Sequence, residues 1–218
     1  DILIIRGRAY LGLRRFDEAE TAFRKAETLR PNDPQTKIGL AQSRVYRGDL
    51  KSAEEEVDIA MAHDKNSVEA LILKAELRRL ARDLPGALVQ FDSAIALRPN
   101  HSLARLGRAA SLIDLNRDQD AQADLEIVVT RFARHPLAAY LNALILAKKK
   151  DYSGAQEALQ EVGAALDRHM PSIFLAGAIH YALNQHEQAV KSLSFYVGQR
   201  PENVRARKLL GAALVRKK

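Results

Sequence analysis

Six histidines and 27 acidic side chains are the groups of this 218-residue chain that could carry acid–base or metal chemistry; it has no cysteine. His101, His135 and His169 stand one fixed interval of 34 residues apart. A metal ion needs its imidazole nitrogens at about 2.0 to 2.1 Å from one point, whereas equal intervals of that length string side chains along a repeating chain. The same column holds Asp33, Ser67 and Asn203, whose side chains accept a hydrogen bond from a helix start, so the three histidines read as turn or cap positions. His63, His180 and His186 have no ligand spacing. The absence of cysteine removes disulfide frameworks, thiolate zinc sites and cysteine nucleophiles. "GRAYLGLR", from Gly7, carries the glycines of a phosphate loop without the Lys and Ser/Thr that hold phosphate and magnesium. No nucleophile, base and orienting acid can be named. The chain reads as a non-enzyme, with no cofactor and no metal.

The elements that position these residues follow from a repeat. A shift of 34 lays Ala19 over Ala53, Ala87, Ala121, Ala155 and Ala189. A second column, Gly7, Ala41, Ala75, Ala109, Ala143, Gly177 and Gly211, holds nothing larger than Ala. Small side chains recurring in register let two antiparallel helices approach until the flanking Leu and Phe interlock. In each repeat a first helix, A, starts after Asp33, Ser67, His101, His135, His169 or Asn203, and a second, B, starts near Asp17, Asp49, Asp83, Asp118, Asp151 or Gln185. Asp33, Ser67, Asn203, Asp49, Asp83 and Asp151 are good N-caps, and Pro34 and Pro136 take the first helical position, where a missing N–H costs nothing. Pro31, Pro99 and Pro201 end their B helices. Ala19, Phe23 and Ala26 follow the rhythm of a buried helical stripe, with Glu18, Glu20 and Arg24 on the wet side. The expected fold is all-α: a right-handed superhelical solenoid of antiparallel helix pairs, with six repeats over residues 1–203, boundaries near 33, 67, 101, 135, 169 and 203, and helix A of a seventh over 204–218.

A unit of this length, with small residues at its eighth and twentieth positions, Phe23 or an aliphatic at the twenty-fourth, Ala26 at the twenty-seventh and Pro31 at the thirty-second, resembles the tetratricopeptide repeat. It departs from that pattern at the fourth, seventh and eleventh positions. Lys37, Arg105, Arg207, Arg6, Lys74, Arg108, Arg44 and Arg78 stand there in place of large apolar residues, and their stems are expected to cover apolar surface while the charges reach water. The resemblance implies a concave groove lined by the A helices. Carried over residue by residue, the candidate contacts are Arg8, Gln42, Tyr46, Arg79, Leu106, Ile113, Tyr140, Leu144, Phe174 and Tyr181, with the apolar members gathered in the later repeats. A partner protein or peptide segment, extended or helical, is the expected occupant; packing against the neighbouring repeat is the alternative role for these side chains. The Lys and Asn clamp with which some members hold a chaperone's terminal carboxylate is missing, because the ninth positions read Arg8, Gln42, Glu76, Ala110, Leu144, Ala178 and Ala212.

The stretches "HPLAAYLNALILAKKKDYSGAQEALQEV", "HMPSIFLAGAIHYALNQHEQAVKSLSFYV" and "PENVRARKLLGAAL" are similar to the tetratricopeptide lipoproteins of the PEP-CTERM and exosortase protein-sorting system. That resemblance implies a bacterial cell-envelope location, periplasmic and lipid-anchored through a part of the parent protein outside this segment, with a role in exopolysaccharide production and protein sorting. A cytoplasmic scaffold is the alternative. The longest apolar stretch near the middle, Leu137 to Ala147, falls below the roughly 18 residues of a membrane span, so no membrane contact by the segment itself is expected. The net charge is +7, with acids such as Glu54, Glu55, Glu56 and Asp58 on B helices and Arg44, Arg47, Arg78, Arg79, Arg105 and Arg108 on A helices and their turns. This division suggests a positive concave face, and the alternative to protein capture is a structural or carbohydrate-associated module that binds an anionic polysaccharide through it. Nucleic acid is not expected, because no aromatic stacking platform adjoins the basic residues. The half repeat "VRARKLLGAALVRKK" could pair with another copy's open end.

Overall fold

The computed structural model describes residues 2–217. Among them the chain forms thirteen α-helices and no strand. The A helices are α1 (Ile2–Gly12), α3 (Pro34–Arg47), α5 (Val68–Leu80), α7 (Ser102–Asp114), α9 (Pro136–Lys148), α11 (Met170–Ala182) and α13 (Val204–Arg216). The B helices are α2 (Phe16–Leu29), α4 (Leu50–His63), α6 (Leu84–Leu97), α8 (Asp118–Arg131), α10 (Tyr152–Gln160) and α12 (His186–Gln199). The fold is all-α, with six helix pairs and one helix more, as the 34-residue register predicts.

The chain divides into two compact units, one ending at Arg117 and the other beginning at Asp118. In the N-terminal unit each helix packs on the next, and α1, α3, α5 and α7 also touch in succession. The C-terminal unit repeats the scheme: α9 touches α11 and α11 touches α13. Within each unit the A helices thus form a continuous layer, the one assigned above to the groove.

The small-residue columns explain this packing. Ala19, Ala53, Ala87, Ala121, Ala155 and Ala189 are all 0% exposed, as are Ala41, Ala75, Ala109 and Ala143. Ala41 and Ala53 share one apolar cluster and Ala143 and Ala155 another, so the two columns meet across the hairpin. Phe23, fully buried, lies between α1 and α3; a Cβ added to Gly7 or Gly39 would fall within 3.0 Å of its ring. Phe91 meets Gly107 in the same way.

Caps set the helix starts. The Asp33 carboxylate accepts from the Thr36 N–H at 2.8 Å, Asp151 from Gly154 at 2.9 Å and Asn203 from Ala206 at 3.0 Å. His101 and His135 do the same with Nδ1, accepting from the Ala104 and Ala138 N–H groups at 3.4 Å. His169 makes no side-chain cap, and its Nδ1 lies 2.6 Å from the Ser172 hydroxyl instead. Between A and B helices one left-handed residue recurs at the same repeat position: Arg14, Gly48, Arg82, Asn116, Lys150 and Asn184, with φ from 58° to 82°.

One B helix departs from the expected pattern. The other five have 14 residues, but α10 has 9 and gives way to a 3-10 turn at Gly163–Leu166. Gly163 has φ +52°, and it stands where the other repeats carry Glu27, Met61, Ile95, Val129 and Val197. Glycine adopts that conformation without steric cost and is a poor helix former, so the helix stops early.

Candidate functional site

The groove residues of the C-terminal unit come from α9 and α11. Tyr140 and Leu144, one turn apart on α9, pack partly buried on Ala143, Ala155, Leu175 and Ile179. The Tyr140 ring meets His169 edge to face at 4.9 Å between centroids. Phe174 lies 5.2 Å from Tyr196. Tyr181 lies 6.0 Å from His186, and the Arg216 guanidinium stands 5.1 Å over its ring. Each of the four is held on one flank by packing and remains partly accessible, a rigid amphipathic surface with little rotamer entropy left to lose.

The candidates of the N-terminal unit are arranged less uniformly. Tyr46 is 61% exposed and stacks on Phe16 at 4.5 Å. Arg8 donates to the Gln35 side chain, Arg79 to Glu76 at 2.8 Å, and Gln42 is half-buried. Leu106 and Ile113 are 1% and 4% exposed. At that burial neither can meet a partner, so these two positions serve the packing role that the sequence left open.

Electrostatics correct a second expectation. The basic side chains at the fourth, seventh and eleventh positions are not all carried out to water. Lys37, 5% exposed, pairs with Glu27 and with Glu56 at 2.8 Å, and Arg44 pairs with Glu56 at 2.7 Å. Lys74 pairs with Glu54 at 2.8 Å and Asp58 at 2.7 Å, and Arg108 with Asp92 at 2.6 Å. Glu20 takes Arg24 at 2.7 Å and also Arg47. Burial alone would depress the Lys37 and Lys74 ammonium groups, but their carboxylate partners outweigh it and hold both above the ordinary lysine value. Burial likewise opposes ionisation of Glu20, and Arg24 and Arg47 overcome it, holding its carboxyl below the usual range. The acids of B helices and the bases of A helices are therefore partners, within a hairpin for Lys37 and Arg44 with Glu56 and between consecutive repeats for Lys74, Arg108 and Arg47. Much of the basic charge that suggested a polymer-binding face is neutralised by these pairs.

Among the described residues, no group of three His, Cys, Asp or Glu could hold a metal ion, and no helix is long and apolar enough to cross a membrane.

Models of the tetratricopeptide repeat match residues 1–33, 38–102 and 106–171. The chain belongs to the tetratricopeptide repeat family. Members of this family act as protein–protein interaction scaffolds. Comparison with curated protein sequences finds no match. Among solved structures, this repeat protein is similar to PilF of Pseudomonas aeruginosa, with 18% identity, TM-score 0.75, and 97% of this chain and 96% of that one covered. It is also similar to PilW, described as a widely conserved type IV pilus biogenesis factor, with 16% identity, TM-score 0.76 and coverage of 96% and 97%. A chain of the APC/C hetero-tetramer Cut9–Hcn1 gives TM-score 0.87 at 17% identity, and this protein spans 42% of it. At these identities the likeness is one of fold.

A feature of the repeat protein that the sequence reading passed over is an open cleft beside the shortened α10. Its signal in the sequence is Gly163, in a column otherwise free of glycine.

Proposed function

We propose that this tetratricopeptide repeat protein is a non-enzymatic scaffold that holds a segment of a partner protein against Tyr140, Leu144, Phe174 and Tyr181. The observation that carries the reading is the anchoring of these four side chains: each is packed on one flank and accessible on the other, within one layer of A helices. Pre-packed aromatic groups of this kind are the usual source of binding energy at an interface. The wording of the C-terminal repeats supports a place in the bacterial cell envelope, in exopolysaccharide export and PEP-CTERM protein sorting. The polysaccharide reading gains no support from the charge distribution, since Lys37, Arg44, Lys74 and Arg108 are paired.

The test is capture of partners from envelope extract by the immobilised chain and by its Tyr140→Ala/Tyr181→Ala variant, at low and high salt. Retention by the parent at both salt levels and loss of the same protein by the variant, at unchanged helix content, is the expected result. Equal retention by the two chains, or capture that vanishes with salt alone, would overturn the reading.

A further inference from the structure

The cleft beside α10 has a volume of about 680 Å³, within the roughly 300 to 1,000 Å³ of small-molecule sites. It lies on α11, α12 and the 3-10 turn, away from Tyr140 and Tyr181, neither of which lines it. One face of α12 lines it through Gln188, Lys191, Ser192 and Phe195, and one face of α11 through Ile173, Ala176 and His180. The two helices pack antiparallel across a short turn, so the lining is sorted along its length. His180 and Gln188 fall at one end, and Ile173 and Phe195 fall at the other with Leu166.

The apolar end is unfinished. Phe195 is 53% exposed, although a ring in such a cleft would gain from being covered. The polar end is unfinished too. His180 lines this end with its Nδ1 shut off from solvent, so that atom is closed to a ligand in the cleft as well. Lys191 makes no ion pair among the described residues. The single acid of the lining, Asp167, precedes α11 and so stands more than two helical turns from His180, at about 1.5 Å per residue.

We propose that this cleft binds a small amphipathic carboxylate, with its anionic head on Lys191 and Gln188 and its apolar body on Ile173, Leu166 and Phe195. The cation toward one end and the acid at the other fix the orientation, and the ligand would supply both the counter-charge that Lys191 lacks and the cover that Phe195 lacks. The site is independent of the groove on α9 and α11.

The test titrates the full 218-residue chain with decanoate, and in parallel with decanol, below their aggregation limits, by calorimetry and by chemical-shift mapping. Saturable decanoate binding is expected, with shifts confined to α11, α12 and the 3-10 turn. Phe195→Ala should weaken it about tenfold. Lys191→Met should weaken decanoate several-fold and leave decanol unchanged, and Ala176→Trp should abolish both by filling the space. Ala176→Trp is scored only if circular dichroism matches the parent; Lys191→Met alters a surface position and decides the question by itself. No saturable decanoate binding, or an equal effect of Lys191→Met on acid and alcohol, would overturn the proposal.

Discussion

Gly39→Ala isolates the close approach on which the packing rests. Ala gains about 0.8 to 1.0 kcal/mol over Gly in a helix interior, so on an open helix the change would stabilise. Here the new Cβ would fall within 3.0 Å of the Phe23 ring, and the ring has no retreat because Gly7 on α1 meets it at a comparable distance. Overpacking of this kind costs about 1 to 3 kcal/mol. The net expectation is a loss of up to about 2 kcal/mol instead of a gain. Phe23→Leu alone should also cost about 1 to 2 kcal/mol, through the space it leaves at a fully buried site. In that background the added methyl has room, so Gly39→Ala should turn from harmful to helpful by up to about 1 kcal/mol, a coupling within the 0.5 to 3 kcal/mol typical of contacting residues. Urea unfolding of the four chains, followed by far-ultraviolet circular dichroism, reads the cycle. A Gly39→Ala effect of the same sign and size in both backgrounds would refute the steric account.

Three further outcomes follow from the same structure. Lys37→Met should cost about 2 kcal/mol, less than the 3 to 5 kcal/mol of a fully stripped buried pair, because Arg44 still reaches Glu56; the urea midpoint checks it. His169 and His180 are both held below the ordinary histidine value of 6.5 by burial, so the unfolded chain binds protons first as pH falls. Stability is therefore full above that value and declines below it, and the thermal midpoint of a His180→Phe variant should fall less between pH 7 and pH 5 than the parent's. Lys150→Gly should raise the urea midpoint, since Lys150 holds φ +64°, a conformation that costs an ordinary residue about 1 to 2 kcal/mol and glycine little.

The helix pairs were legible because Ala19, Ala53, Ala87, Ala121, Ala155 and Ala189 repeat a steric requirement, and sterics at a helix crossing leave few alternatives. The cap role of His101 and His135 was legible for a similar reason, since a column shared with Asp33 and Asn203 defines one backbone task. What escaped was pairwise. Phe23 and Phe91 are each answered in the following repeat by Gly39 and Gly107, while Val57 and Leu193 are answered by Leu73 and Leu209. Columns read singly hide such compensation. The charges failed in the same way: acids on B helices and bases on A helices looked like opposite faces, but an antiparallel hairpin brings Glu56 to Lys37 and Arg44. The groove was legible only as positions. Which of them are exposed depends on tertiary burial, which removes Leu106 and Ile113 and leaves Tyr140 and Tyr181.

The absence of native cysteine makes the central claim directly measurable. A photocrosslinker carried by Ala182→Cys on the A-helix layer, and separately by Ser194→Cys on α12, reports which surface a captured partner touches. The account predicts crosslinks from position 182 and none from position 194. Crosslinking from 194 alone, or equally from both, would contradict it.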